Sequence, residues 1–577
     1  MAEFKTDLTD IFFGLFEVLK VQKHREGAEA TDFQDLKDII FEYNKFTTTV
    51  IWPTRTPSDK EGVVLSKEGV KVPKILHNAN QKYYENGWFA LGLPEAMGGM
   101  PALNSVALAC NAISTGSHVG FMMYTGLTKA ALSVIWAKGS EEQKKTYVAP
   151  IVSGEWGGTM CLTESGAGSD VGACRTTATP LGNGKYNIKG VKIFISSGES
   201  DLYKNNIHLV LAKTPKAPEG TRGLSLFIVP RFNLQTGKNN NVFCTKIEEK
   251  MGIHASATCE LTFGRDGDCV GELIGAEFDG MANMFIMMNE ARLLCGIQGE
   301  SQANVAYGLT EQYAKERVQF GKELVHHPDV KRMLLKMRAA SRGMRALNLY
   351  VGNLFDEVKK NKEVEHEIAF LTPICKAYCS EKGFDVCVEA LQVHGGYGYC
   401  TEYGIEQFVR DTKIATIYEG TNGIQAIDFL IRKVLKDQGK TLMNVALKIK
   451  NSLQAAAISS LATSFSDELN LYKSVFEKCE KIMTKVGELA KENKQEEMLG
   501  SASDILEFFS QVVIAWQLLD HALVASSLMI NTQGETKKYY QSKIVDFRVY
   551  TRYFLTKNLG LASNILNFKD NSLCLEL

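Results

Sequence analysis

The sequence predicts a mainly α protein with one central β domain. Three changes of texture carry that reading. Apolar residues recur every three to four positions up to about residue 158, short β-rich runs replace them over about 159–275, and helical spacing returns from about 276 onward. At 577 residues the chain is long enough for three to four domain-sized units and a large buried core. The expected divisions are 1–158, 159–275, 276–438 and 439–577.

In the first division Phe12, Phe13, Leu15, Phe16 and Leu19 cluster at near-helical spacing, as do Phe33, Leu36, Ile39, Ile40 and Tyr43. Trp88 to Gly99 is a breaker-rich link, and Ser140 with Gln143 three residues on reads as a capping box. The β division shows runs at Thr159–Thr163, Tyr186–Ser197, Ile207–Ala212, Leu224–Val229, Val242–Ile247 and Thr258–Phe263, with a hairpin signal at Asn183-Gly184. Met281, Met284, Phe285, Met288 and Leu293 then form one apolar stripe, which reads as core. From Gly439 a further helical region begins, with amphipathic runs at 471–489 and an apolar helix at 512–530.

Composition excludes several classes. Hydrophobic residues make up 45% and charged residues 23%, ordinary for a globular chain, and the formal net charge of −1 argues against binding nucleic acid or a membrane surface through overall charge. The thirteen cysteines form no CxxC pair and no zinc spacing, so reduced thiols and a cytoplasmic location are expected. Glu3, Asp7 and Asp10 precede the first apolar run, so no signal peptide is expected. Gln517, Asp520 and His521 interrupt the most apolar segment, which therefore reads as a buried helix and not a membrane span.

The chemically pointed residues fall in a few stretches. Gln392 to Gln425 places an amide beside the pair Gly395, Gly396, then ends an apolar run at Tyr418-Glu419-Gly420-Thr421-Asn422-Gly423. A carboxylate there is either a solvated turn glutamate or a base in a dry pocket, where desolvation raises its pKa toward neutrality. Met160 to Asp170 (MCLTESGAGSD) is a glycine-rich loop with hydroxyls; it fits neither a GxGxxG dinucleotide turn nor a P-loop. Phe194-Ile195-Ser196, Asn289-Glu290-Ala291-Arg292 and Arg317-Val318-Gln319-Phe320-Gly321-Lys322 follow in order. His326 and His327 lack a third ligand at a plausible interval, so no metal site is expected.

Taken together, these motifs resemble the acyl-CoA dehydrogenase family over roughly residues 80–435, and the long C-terminal addition is similar to its extended bacterial branch. The resemblance implies an N-terminal helical domain, a middle β-barrel and a C-terminal four-helix bundle, plus an additional helical domain. It implies FAD as cofactor, lying between barrel and bundle. Met160, Leu162, Thr163, Gly168, Ser169, Phe194, Ile195, Ser196, Arg317, Gln319, Phe320, His327, Gln392, Val393, Gly395, Gly396, Thr421 and Gly423 would contact it. Phe194 stands where relatives have Trp, and Gly423 where others have Gln. Ser169, Asn289, Arg292 and Gly420 would contact an acyl-CoA substrate. Glu419 would be the base that removes the α-proton, with Glu290 a lesser rival, because the position some relatives use is Ala291 here. Hydride would pass from Cβ to flavin and on to electron-transferring flavoprotein. The arginine and phenylalanine near 317–320 imply a homo-oligomer, a dimer favoured. An oxidase using oxygen and a non-catalytic, nucleic-acid-binding relative stay open as alternatives.

Overall fold

The computed structural model describes residues 3–25 and 33–567, so the last stretch of the expected extension, 568–577, lies outside the described residues. Two compact units emerge: one of residues 43–102 and 117–291, the other of 1–42, 103–116 and 292–577.

The first unit carries a two-stranded ribbon, β1 (Val64–Ser66) and β2 (Gly69–Lys71), which the helical reading of this region lacked. Its helix Val119–Lys138 is mostly apolar, with 12 of its 20 residues buried, and Ser140 and Gln143 form the expected capping box at the start of the helix Glu141–Val152. The sheet has eight strands: β3 (Trp156–Cys161), β4 (Thr177–Gly182), β5 (Lys185–Ser196), β6 (Asn205–Lys213), β7 (Leu224–Pro230), β8 (Val242–Ile247), β9 (Thr258–Phe263) and β10 (Val270–Leu273). The order is β10-β7-β6-β4-β5-β9-β8, with β3 parallel on β6. Because β10 also pairs β5, the strands β5, β10, β7, β6 and β4 close a ring. Strands β6 and β7 are buried almost throughout, which explains their continuous apolar runs. The two strands missed by the sequence reading, β4 and β10, carry glycine or proline within short runs and no apolar alternation (TATPLG and VGEL). Asn183 and Gly184, both at positive φ (52° and 70°), make the expected tight turn between β4 and β5.

The second unit is helical. It takes in the C-terminal part of a long helix, Gly280–Glu316, with Pro328–Glu357, Val364–His394, Ile405–Lys413 and Asn422–Asp428. The helices 280–316 and 364–394 approach so closely that only glycine fits at the contact. A Cβ on Gly296 would meet the Cys375 carbonyl oxygen at 2.6 Å, and one on Gly299 would meet that of Cys379 at 2.1 Å. The extension adds Lys440–Ile458, Ser466–Lys491, Ala502–Met529, Gly534–Tyr550 and Lys557–Asn567. Ala502–Met529 and Val119–Lys138 are each long and apolar enough to cross a membrane, and 67% of the most apolar window of each is buried inside the protein.

A buried ion cluster fastens the extension to the bundle. Asp10 accepts from Arg345 (2.8 Å) and Tyr539 (3.0 Å) and contacts Lys543, while Asp546 accepts from Arg338 (2.6 Å) and Arg342 (2.9 Å). Asp10, which reads in the sequence only as a charge ahead of an apolar run, is 2% exposed.

Candidate active site

Within the helical unit the site is built from three helices and one turn. The 3-10 turn Ile414–Thr416 leads into Ile417-Tyr418-Glu419-Gly420, and Thr421 caps the next helix by accepting from the Ile424 amide at 3.3 Å. Glu419 has φ 58°, a left-handed conformation that costs a non-glycine residue energy. Two features hold it. Gly420 follows at φ 84°, and the buried Gln425 donates its Nε2 to the Glu419 carbonyl oxygen at 3.1 Å. A Cβ on Gly420 would stand 2.8 Å from that Nε2, so the close approach requires glycine. The Glu419 amide has no backbone acceptor among the described residues.

Burial pushes the Glu419 carboxyl up to about 7, against the opposing charges of Arg292 and Lys376. Arg292, 6% exposed, lies 3.5 Å from Asp428. Lys376 is fully buried, and burial lowers its ammonium to about 8, while Cys295 and Glu419 favour its charged form. Its Nζ donates to Asn422 Oδ1 at 3.0 Å, and Asn422 in turn donates to Glu381 at 3.0 Å. Tyr418 donates its hydroxyl to Gln298, whose amide donates to the Asp411 carbonyl oxygen at 3.1 Å. The arrangement is a carboxyl poised to change protonation near neutral pH, with two buried cations acting on it from beyond ion-pair distance. The rival Glu290 belongs to the other unit; burial raises it too, opposed by Lys129 and a hydrogen bond from Ser133.

A second group of expected residues collects around a hairpin of the helical unit. Arg317 does not continue a charged helix face: β11 (Val318–Gln319) and β12 (Lys322–Glu323) form a ribbon whose turn is Phe320 (φ 50°) and Gly321 (φ 76°). Phe320 is 96% exposed. His327 bonds the Gln319 carbonyl oxygen (3.0 Å), and the Arg317 guanidinium lies 5.4 Å from the centre of the Tyr397 ring. Gln392, Gly395 and Gly396 are exposed at the end of the helix 364–394, with Gly395 at φ 61°, ψ −140°, a conformation essentially reserved to glycine. Val393 instead packs into a core cluster with Ala314, Met333 and Leu334. Gly423 is exposed, and a Cβ on it would meet only Thr421 Oγ1, at 3.8 Å.

In the barrel unit Met160 lies one residue before the end of β3, opposite Leu209, and Leu162, Thr163, Gly168 and Ser169 follow on the loop. Gly168 and Ser169 are exposed, and a Cβ on Gly166 or Gly168 would meet nothing within 4 Å. Phe194 is not on an edge strand, as its isolated tripeptide would suggest. β5 is internal and bulges between Lys192 and Ile195, and the bulge turns Phe194 out at φ 58°, 60% exposed, while Ile195 is buried and Ser196 half-buried. Lys192 ties loop to strand: its buried Nζ donates to the Leu162 carbonyl oxygen (2.9 Å) and to Glu164 (2.8 Å). Asn289, on the helix 280–316, is exposed.

Domain-family models match four stretches of the chain. Residues 46–155 match the acyl-CoA dehydrogenase N-terminal domain, 159–265 the middle domain and 279–434 the C-terminal domain, while 445–576 match a domain described as acetyl-CoA dehydrogenase C-terminal like. The chain belongs to the acyl-CoA dehydrogenase family. It is 34% identical to 3-methylmercaptopropionyl-CoA dehydrogenase of Ruegeria pomeroyi, over 95% of each chain. It is also 34% identical to the broad-specificity linear acyl-CoA dehydrogenase FadE5 of Mycobacterium tuberculosis, over 96% of each. Among solved structures, Caenorhabditis elegans ACDH-11 in complex with C11-CoA shares the fold at TM-score 0.75 and 20% identity, covering 98% of this chain and 95% of that one. The acyl-CoA dehydrogenase is thus an oxidoreductase acting on acyl-CoA, with FAD as cofactor, and it carries the extra C-terminal helical domain of its full-length relatives.

Sequence reasoning missed Lys376 and Lys192, and gave no role to Asn422, Gln425 or Glu164 although they lie in the stretches it singled out. A signal existed for Lys376: a lysine inside the apolar run Pro373 to Tyr378 is rarely buried without a partner.

Proposed function

We propose that this acyl-CoA dehydrogenase desaturates an acyl-CoA between Cα and Cβ with Glu419 as the base, giving the trans-2-enoyl thioester. The observation that carries the reading is a half-buried glutamate held at φ 58° at the end of a helix turn, its carboxyl pushed up to about 7 by desolvation. At that value an appreciable fraction is ionised at neutral pH and can take the α-proton at a carboxylate oxygen. The Glu419 amide would donate to the thioester oxygen and stabilise the charge developing there. Arg292 and Gly420 would line the acyl-CoA side of this turn; Ser169 and Asn289, both exposed, are further candidates for the substrate.

The residues fit FAD. The protruding Phe194 offers a ring face, Thr163, Ser169 and Ser196 offer hydroxyls, and the open space at Gly166 and Gly168 leaves backbone free to approach. In the helical unit Gln392, Gly395, Gly396, Thr421 and Gly423 present comparable polar and open backbone. FAD held there would supply the acceptor for the β-hydride.

The ribbon with Arg317, Gln319, Phe320 and His327 would reach the FAD of a second copy. A phenylalanine 96% exposed supports that, so a homodimer is the proposed assembly. Electron-transferring flavoprotein is the proposed acceptor: one relative, 32% identical over 59% of this chain and 85% of its own, is subunit CarC of the caffeyl-CoA reductase-Etf complex of Acetobacterium woodii. The described cysteines form no disulfide, which suits a reducing compartment such as the cytoplasm.

Anaerobic mixing of the purified holoenzyme with acyl-CoAs from short to long, a methylthio-substituted chain among them, tests the reading. Bleaching of the flavin with formation of the enoyl thioester is expected for at least one chain. Protein that takes up no FAD, or flavin that no acyl-CoA bleaches, contradicts it. Peroxide formed on admitting air would replace the flavoprotein acceptor with oxygen.

A further inference from the structure

Two helices are pressed together beside the base by glycines that leave no room for side chains, Gly296 and Gly299 on one and Gly383 on the other. The contact places Arg292 and Cys295 of the helix 280–316 and Lys376 of the helix 364–394 around Glu419. Lys376 is the unusual member. It is a fully buried lysine among Ile374, Cys375 and Cys379, all 0% exposed. Taking an ammonium out of water is costly unless its charge meets compensation, and an apolar residue of similar size would fill the space more cheaply.

Its hydrogen bonds show where the charge is directed. The Nζ donates to Asn422 Oδ1 at 3.0 Å, and Ser380 donates to the same oxygen at 3.2 Å. Asn422 Nδ2 is occupied by the Ala377 carbonyl oxygen (3.3 Å) and Glu381 (3.0 Å), so the amide is fixed in orientation. Asn422 lies three residues after Glu419, at the first position of the helix that Thr421 caps. One amide therefore ties the lysine to the turn that carries the base.

We infer that Lys376 is a positioning residue for the base, held by Asn422 so that its ammonium faces Glu419 and sets the pH range over which that carboxyl is ionised. The inference rests on the reading of Glu419 as the base. The charged and titratable groups around Glu419 are Arg292, Lys376, Cys295 and Tyr418, and around Lys376 they are Cys295, Glu419, Arg292 and Glu381. Arg292 is itself opposed by Asp428, so its charge is partly spent on a second carboxylate. Lys376 makes no ion pair within 4 Å among the described residues, Glu419 included, so its charge acts on the base from beyond contact distance, as the second cation after Arg292.

A cation beside a carboxylate favours the ionised form, so deleting it raises the pKa. In Lys376→Gln, which keeps a donor for Asn422, the midpoint for Glu419 is expected to move up by about one unit or more. Two readouts follow it. The carboxylic-acid C=O band that Glu419→Gln removes can be titrated by infrared difference spectroscopy, with or without FAD. The rate of anaerobic flavin reduction at saturating acyl-CoA should fall about tenfold at pH 7 and recover to within about threefold at pH 9. Lys376→Arg should restore the midpoint. A purely structural lysine would lower the melting temperature and leave the midpoint in place. If Lys376→Gln does not fold, Lys376→Met carries the same titration. An unmoved midpoint in the charge-deleted variant, with Glu419→Gln inactive and its band lost, overturns this inference alone. An active Glu419→Gln overturns the base reading beneath it.

Discussion

Two glutamates, each next to a residue of an expected site, meet opposite fates. Glu164 follows Thr163 in the barrel, and Glu419 precedes Gly420 in the bundle. Burial opposes the charge of both. Around Glu164 it is outweighed: Oε1 accepts from Lys192 (2.8 Å), Thr176 N (3.1 Å), Thr176 Oγ1 (2.6 Å) and Cys174 (3.0 Å), and Oε2 from Arg175 N (2.7 Å), holding the acid down at about 2. Around Glu419 burial prevails over Arg292 and Lys376, and the acid sits at about 7. The difference lies in directed donors. A carboxylate saturated with hydrogen bonds becomes a permanent anion and a structural rivet, whereas one with cations nearby but few donors stays able to exchange a proton.

The largest expected effect lies at Glu419. Glu419→Gln should bind flavin and acyl-CoA yet lose about 10²–10⁴-fold in the rate of flavin reduction, which stopped-flow absorbance measures directly. Next comes the rivet. Lys192→Met leaves Glu164 buried without its cation and should destabilise the fold by about 3–5 kcal/mol in denaturant titration, with weakened retention of FAD. A smaller effect separates the two acids by the sign of their pH dependence. Glu164, depressed from 4.5 to about 2, contributes stability above pH 4.5 that is lost as pH falls toward 2. Glu419, raised from 4.5 to about 7, does the reverse: stability declines as pH rises between those values, and Glu419→Gln should melt at a higher temperature than wild type at pH 8. Smallest is Gln425→Ala, which frees the Glu419 carbonyl oxygen. A loss of about 1 kcal/mol is expected, read as a several-fold slower reduction with an unchanged pH midpoint.

Much of the fold was legible because its patterns are local. The long buried strands β6 and β7 and the helices of the extension announce themselves by apolar period, and the Ser140–Gln143 box by two residues at fixed spacing. The strands β4 and β10 were not, since TATPLG and VGEL gain their place by pairing with distant partners and not by composition. At the site, Glu419 could be picked out by its turn, but its surroundings could not. Lys376 lies 43 positions away and Arg292 further still, brought in by a glycine contact between helices that no linear pattern shows. The exposed Phe194 and Phe320 are likewise products of a bulge and a two-residue turn, whose positive φ values belong to the folded backbone.

The most direct test of the contrast is the pH dependence of anaerobic flavin reduction by saturating acyl-CoA in the wild-type enzyme. With Glu419 as a base near pH 7, the rate should rise about tenfold per pH unit from 5 to 6.5 and level off above about 7.5. A rate already at its plateau at pH 5 would mean that Glu419 is ionised like Glu164, and would contradict the account.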